Sequence, residues 1–147
     1  MSSQESYSIH CVSEDWRRVL AKLHEASNLS LENISDQQII ITSHSGTLKV
    51  SRLFPETGGK FGAIYVGLIN KVKRIDSSAI FKRQEVIDNL KNTKMILGCV
   101  ASPQFKDSDE RFELIFSLAQ ILDGTVFDGF TLLSPNGEVI ISLDGST

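Results

Sequence analysis

The sequence predicts a single α+β domain, in which helices pack on a mixed β-sheet. Residues 95–101 form an apolar run, typical of a strand covered on both faces. Residues 107–123 follow as a helix that is apolar on more than one face and must therefore be buried. Strand and helix patterns do not alternate strictly along the chain, which favours an α+β arrangement.

Length and charge narrow the class of protein. The chain has 147 residues, enough for one domain with its own core, and 41% of them are hydrophobic. Its net charge of −3 is scattered, whereas nucleic-acid-binding proteins carry a basic face, so we expect no nucleic-acid partner. The main basic concentration is Lys71, Lys73, Arg74, Lys82 and Arg83. Its pattern predicts the solvated side of two helices.

No segment of the sequence resembles an export signal or a membrane span. Residues 1–6 are polar, and no stretch approaches the ~20 apolar residues that cross a bilayer. Cys11 and Cys99 each lie within a predicted strand, where they are expected to be reduced and buried. These features predict a cytoplasmic protein without a membrane partner.

The amino-terminal half predicts a strand, a helix and a β-hairpin. The elements are a strand at 7–12, a helix from 13 to about 28, and strands at 37–43 and 47–54. Ser13 is the expected helix cap, with Glu14 and Asp15 in the first turn, where the helix dipole favours carboxylates. Gly46 can supply the positive φ that a tight hairpin turn needs.

The second half predicts three helices around one buried strand, followed by a meander. The elements are helices at about 57–75, 79–91 and 107–123, and strands at 95–101, 125–128, 131–133 and 138–143. Asp107 and Glu110 suggest a capping box, and Gly124 a left-handed helix end. Residues 95–127 predict a right-handed strand–helix–strand crossover, and 134–137 the turn of a carboxy-terminal hairpin. The whole of 1–147 is expected to be one domain, ending either naturally or as part of a longer protein.

Several segments together resemble a known family. They are 48–54, 83–90, 96–100, 111–119, 123–127 and 134–140, with Phe61, Leu68 and Ile75 on the intervening helix. This pattern, over roughly residues 40–145, is similar to the amino-terminal region of a family of uncharacterised bacterial cytoplasmic proteins. In that family a further domain of unknown function follows. The resemblance implies a bacterial origin and a second domain as partner, and it carries no catalytic residues.

The loop ahead of the second helix is the candidate ligand site. Gly58, Gly59 and Lys60 offer backbone amides and a cation at a helix start, an arrangement that can hold an anion. The loop lacks the spacing of a phosphate-binding Walker motif. The favoured alternative is a glycine-rich entry that lets Phe61 and Gly62 pack closely.

The titratable residues do not form a recognisable catalytic or metal-binding pattern. His10, His24 and His44 fall on a predicted strand, helix and turn, without metal-ligand spacing. The carboxylates of the second half are accounted for by helix caps and turns. We therefore predict no catalytic residue, no metal site and no cofactor.

Exposed aromatic residues are the candidate interface anchors. Large rigid side chains dominate binding hot spots, which selects Trp16 and Phe130. Phe130 follows Gly129 in a turn and either is exposed or folds back onto the core. The leading functional hypothesis is a non-enzymatic module that binds another protein or a second domain. The alternatives are an anion-binding or small-ligand protein, a hydrolase that uses the 58–62 loop, and an immunity-type protein that neutralises a toxin.

Overall fold

A computed structural model describes residues 4–26, 28–55, 59–74 and 80–142. Within these ranges, one eight-stranded sheet has the strand order β2-β3-β4-β5-β1-β6-β7-β8. Its strands are β1 (Glu5–Cys11), β2 (Ser30–Ser35), β3 (Gln38–Ser43), β4 (Gly46–Leu53), β5 (Met95–Ser102), β6 (Gly124–Phe127), β7 (Thr131–Leu133) and β8 (Val139–Ser142). The helices are α1 (Trp16–Glu25), α2 (Gly59–Lys73), α3 (Ile80–Leu90) and α4 (Glu110–Leu122). The α+β prediction is confirmed.

The sheet is antiparallel throughout, so the expectation of a mixed sheet is wrong. The reason is the position of β1, which pairs antiparallel with β5 on one side and with β6 on the other. The strands β5 and β6 consequently run in the same direction but are separated by β1. Helix α4 connects them, so the predicted strand–helix–strand passage is present without any direct parallel pairing. The predicted hairpin of β7 and β8 also forms.

The main core lies on one face of the sheet, beneath α1 and α4. Alternate residues of the central strands point to this face because side chains along a strand alternate between the two sides. Large apolar side chains of β1 and β3–β6 meet those of the two helices, among them Ile9, Val19, Leu23, Ile41, Val50, Leu97, Ile115 and Leu122. These residues are at most 1% exposed, which explains the apolar run of β5 and the apolar surface of α4.

A second, smaller core lies on the opposite face, where α2 and α3 cover the β6–β8 end of the sheet. Its buried members are Leu68, Val72, Val86, Ile87, Leu90, Leu132 and Ile141. Helix α2 was predicted to carry an apolar stripe, and its Phe61, Leu68 and Val72 are indeed buried. The two helices therefore dock through one end of the sheet, leaving part of this face beside α2 less tightly filled.

Three local predictions need correction. Strand β2 was not predicted, because its polar sequence lies at an exposed sheet edge and shows no apolar alternation. Helix α4 is capped by Asp109, whose carboxylate accepts from Arg111 N, rather than by Asp107. Its left-handed end is Asp123 (φ 51°), whereas Gly124 is required for packing: a Cβ there would lie 2.6 Å from Cγ2 of Ile9.

A buried ion pair joins the loop before α4 to the end of the sheet. The Arg111 guanidinium is fully buried and lies 2.7 Å from an Asp109 carboxylate oxygen. It donates further hydrogen bonds to the carbonyl oxygens of Thr47, Pro103 and Gln104 at 2.8–3.2 Å. The pair thus ties β4, the 103–109 loop and α4 together through one side chain. No pattern in the sequence indicated that Arg111 would be buried in an ion pair.

Candidate functional site

A groove of about 390 Å³ lies between α2 and the sheet, and we refer to it as the α2 groove. Its wall on the helix side is formed by Ala63, Ile64, Gly67, Leu68 and Lys71. Its floor comes from the neighbouring strands β1, β5 and β6. The surface is mainly apolar and the groove is open to solvent, features of sites that bind small molecules.

The floor of the α2 groove follows from strand register. Ser8 of β1 lies between Gly98 of β5 and Phe127 of β6. Two residues earlier on β1, Ser6 lies beside Val100 of β5. Small side chains therefore occupy the middle of the floor, while Phe127 and Val100 contribute apolar edges.

Two glycines keep the α2 groove open from opposite sides. A Cβ built on Gly67 of α2, or on Gly98 of β5, would meet no heavy atom within 4 Å. Neither glycine has a positive φ, so backbone conformation does not demand glycine at either position. On the other face of β5, Leu97 is fully buried in the main core. On the face towards α2, β5 carries no side chain at Gly98, between Ile96 and Val100.

A polar corner, formed by Ser8, His10 and Lys71, adjoins this apolar surface. The Lys71 ammonium lies 5.4 Å from the ring centroid of Phe127, the residue that pairs with Ser8. The Ser8 hydroxyl lies 3.1 Å from Nε2 of His10, two residues along the same strand. The polar corner therefore combines one cation with a hydroxyl group whose orientation depends on the histidine tautomer.

His10 is a buried, neutral member of this corner. It is 2% exposed, and burial lowers its pKa to about 4. Its Nδ1 atom is buried and has no hydrogen-bond partner among the described residues. His10 also borders a separate cavity of about 240 Å³, together with Asn89, Thr93, Thr125 and Ser134. A neutral imidazole can donate from one nitrogen and accept at the other, so it can orient Ser8 without adding charge.

The glycine-rich loop predicted from sequence lies elsewhere. Gly59 is the first residue of α2, and the exposed Lys60 follows it; Gly58 lies outside the described residues. Lys60 borders a polar cleft of about 270 Å³ that also involves Gln38, Ser51 and Arg52. The cleft and the α2 groove share no lining residue among those described. The anion-binding role of Gly58, Gly59 and Lys60 stays a prediction.

The two predicted interface anchors differ in exposure. Trp16 is half-buried against the main core, and the Arg52 guanidinium lies 4.7 Å from the centroid of its ring. Phe130 is 65% exposed, so of the two alternatives for its turn the exposed one is observed. The turn is fixed by Asp128, whose carboxylate oxygen accepts from the amides of Phe130 and Thr131 at 2.8 and 2.7 Å.

The other titratable groups have structural surroundings. Nδ1 of His44 lies 2.7 Å from a carboxylate oxygen of Glu110 across the protein surface. Cys11 and Cys99 are free and buried, and they face Met95 and Tyr7 respectively across the β1–β5 ladder. Within the described ranges, no three histidine, cysteine or carboxylate side chains cluster closely enough to hold a metal ion.

The residues of the α2 groove were not identified from sequence. Lys71 was grouped with the solvated basic residues, and Ser8 and Gly98 were read only as parts of strands. A weak signal was nevertheless available. Gly98 is the one residue without a side chain in the apolar run 95–101, and glycine inside a strand often marks a site where a ligand or another backbone approaches closely.

No helix in the described part of the chain is long and apolar enough to cross a membrane. The chain matches no protein-family model, and no match was found among curated proteins or among solved structures.

Proposed function

We propose that this protein binds a small, mainly apolar molecule in the α2 groove. The observation that carries the proposal is a mainly apolar groove lined by two glycines, Gly67 on the helix and Gly98 on the sheet, where a Cβ would meet no other atom within 4 Å. The volume of about 390 Å³ lies in the range of small-molecule sites.

The surroundings of the groove support binding rather than a simple packing defect. The opposite face of the same strands is packed with side chains that are almost fully buried, so the sheet is well ordered beneath the floor. Apolar surface of Ile64, Val100 and Phe127 would be removed from water by an occupant. Burial of a methylene group contributes roughly 0.8 kcal/mol, so a short alkyl chain supplies appreciable affinity.

The proposal is tested by titrating ¹⁵N-labelled protein with 1-octanol and following amide signals by NMR. We expect saturable shifts at Gly67 and Gly98, which line the groove, and none at Gly62, which lies on α2 outside it. Shifts that are absent, or that spread evenly over the surface without saturation, would contradict the proposal.

A matched pair of substitutions on α2 controls for effects on the helix. Gly67→Leu places a side chain into the groove, whereas Gly62→Leu places the same side chain on the helix outside it. Both replace a helical glycine and should stabilise the fold by about 0.8 kcal/mol through helix propensity. Only Gly67→Leu should abolish 1-octanol binding. Equal binding by the two variants would place the ligand elsewhere.

Protein binding through Phe130 is a second candidate function. A phenylalanine that is 65% exposed on a turn fixed by two amide hydrogen bonds offers a rigid anchor for a partner. Wild-type protein should capture one stoichiometric partner from lysate, Phe130→Ser should lose it, and Val139→Ser should retain it. Val139 is equally exposed but lies on the edge strand β8. Capture that is unaffected by Phe130→Ser would contradict this function.

A further inference from the structure

We infer that the ligand of the α2 groove is an anionic amphiphile: an apolar body with a carboxylate head that lies at the polar corner of Ser8, His10 and Lys71. This inference rests on the proposed function, because it specifies the chemistry of the occupant of the same groove. The inference goes beyond the proposed function by assigning an orientation to the ligand, with its head towards Lys71 and its tail along Gly67 and Gly98.

The charge distribution selects an anion. Among the described residues that line the groove, Lys71 carries the formal charge, and the remaining lining residues are apolar or neutral. The nearest carboxylate along the chain from Phe127 is Asp128, and its Oδ1 atom already accepts hydrogen bonds from two backbone amides. A ligand carboxylate inside the groove would therefore meet the Lys71 cation, while the neighbouring Asp128 carboxylate keeps its charge and is held by those two amides.

Strand register places a hydroxyl donor beside the cation. Ser8 pairs with Phe127, and the Lys71 ammonium lies over the Phe127 ring, so both groups are neighbours of Phe127 in the groove. When Nε2 of the neutral His10 carries the ring proton, it donates to the Ser8 oxygen at 3.1 Å. The Ser8 hydroxyl hydrogen is then available to donate to a carboxylate oxygen.

The rest of the groove suits a tail rather than a second polar group. Beyond Ser8 the floor continues through Gly98 and Val100, and the facing helix presents Ala63, Ile64 and Gly67. An alkyl or aromatic body can lie between these surfaces, where Ser6 contributes the one polar side chain among the described lining residues of this part. One end is thus charged and hydrogen-bonding, and the other is apolar.

The experiment compares three probes of equal chain length: octanoate, 1-octanol and octylammonium, each titrated by NMR at pH 7.5 and moderate salt. We expect octanoate to bind about tenfold more tightly than 1-octanol, the ratio that one charge-assisted hydrogen bond supplies. Octylammonium should bind most weakly because its head meets Lys71. In Lys71→Met the preference for octanoate should disappear while 1-octanol binding is retained.

Lys73→Met is the matched control, since Lys73 lies in the same last turn of α2 but does not line the groove. It should keep the wild-type preference, and Ser8→Ala should reduce it. If 1-octanol binds in the groove as tightly as octanoate, or if Lys73→Met and Lys71→Met behave alike, the anionic head is refuted while the proposed function stands. If none of the three probes binds, the proposed function fails and this inference fails with it.

Discussion

Replacing Arg111 by methionine tests the buried ion pair most directly. The side chain has no exposed surface and donates to both oxygens of Asp109 and to three backbone carbonyls. Methionine fills similar volume but donates nothing. The Asp109 carboxylate would keep only the amide donors of Lys106 and Arg111 among its observed partners.

The loss of these hydrogen bonds determines how far the free energy of unfolding should fall. Removing one partner of a buried ion pair costs about 3–5 kcal/mol, because the other charge stays buried without compensation. For a chain of this size the melting temperature should fall by about 6–20 °C. The hydrogen bond from Arg111 also lowers the pKa of Asp109 to about 2. Its contribution to stability is therefore complete above the unfolded-state pKa near 4 and is lost as pH falls from about 4 to 2.

Urea unfolding at pH 7, followed by tryptophan fluorescence, measures the change in free energy of unfolding. Arg17→Met is the control, because Arg17 is exposed on α1 and should change stability by less than about 0.5 kcal/mol. Arg111→Lys should recover only part of the loss, since an ammonium cannot reproduce the planar fork of donors. An Arg111→Met protein within about 1 kcal/mol of the control would refute the reasoning.

Three further predictions concern other sites. Gly46→Ala should lower the free energy of unfolding in urea by about 1–3 kcal/mol, because Gly46 has φ 140° and a Cβ there would lie 2.7 Å from Cδ of Pro103. Gly129→Ala is the control: Gly129 also has a positive φ, but a Cβ there would meet no atom within 4 Å, so the loss should be smaller. Burial lowers the pKa of His10 to about 4, so as pH falls the unfolded chain protonates this imidazole before the folded protein does. The free energy of unfolding should therefore fall as pH decreases from about 6.5 to 4, by at most about 1.4 kcal/mol per pH unit. A free energy of unfolding that does not change over this interval would contradict a buried neutral imidazole. Burial raises the pKa of Cys99 to about 12 and also raises the pKa of Cys11. Neither thiol should therefore react with a thiol reagent until urea unfolds the protein. Rapid labelling of the native protein would contradict this prediction.

Much of the element order could be predicted from sequence because it depends on local patterns. The apolar run of β5, the periodic apolar residues of α2 and the glycine-containing turn before β7 each indicate their own structure. Strand β2 was missed because an exposed edge strand needs no apolar face. The antiparallel sheet was missed because strand order depends on contacts between distant segments, which periodicity does not reveal.

The candidate site was hardly predictable for the same reason. The α2 groove is lined by Gly98 of β5 and Gly67 of α2, which lie on separate elements far apart in sequence. Ser8 and Lys71 gain meaning from register and helix placement rather than from a spacing in sequence. Gly58, Gly59 and Lys60 were easy to recognise in the sequence because they are consecutive residues. Consecutive residues, however, do not indicate where the fold forms a concave surface.

The central position of β1 has a consequence for how the chain folds. This strand pairs with β5 and β6, so its partner residues lie 84–119 positions later in the chain, from the pair Cys11 and Met95 to the pair Ser8 and Phe127. Such distant pairing slows folding, because a long loop must close before any contact repays its entropy. During synthesis, the apolar residues Ile9 and Cys11 of β1 lack their partner strands until β5 and β6 have been synthesised. The centre of the sheet is therefore completed late, when β1 pairs with β5 and β6.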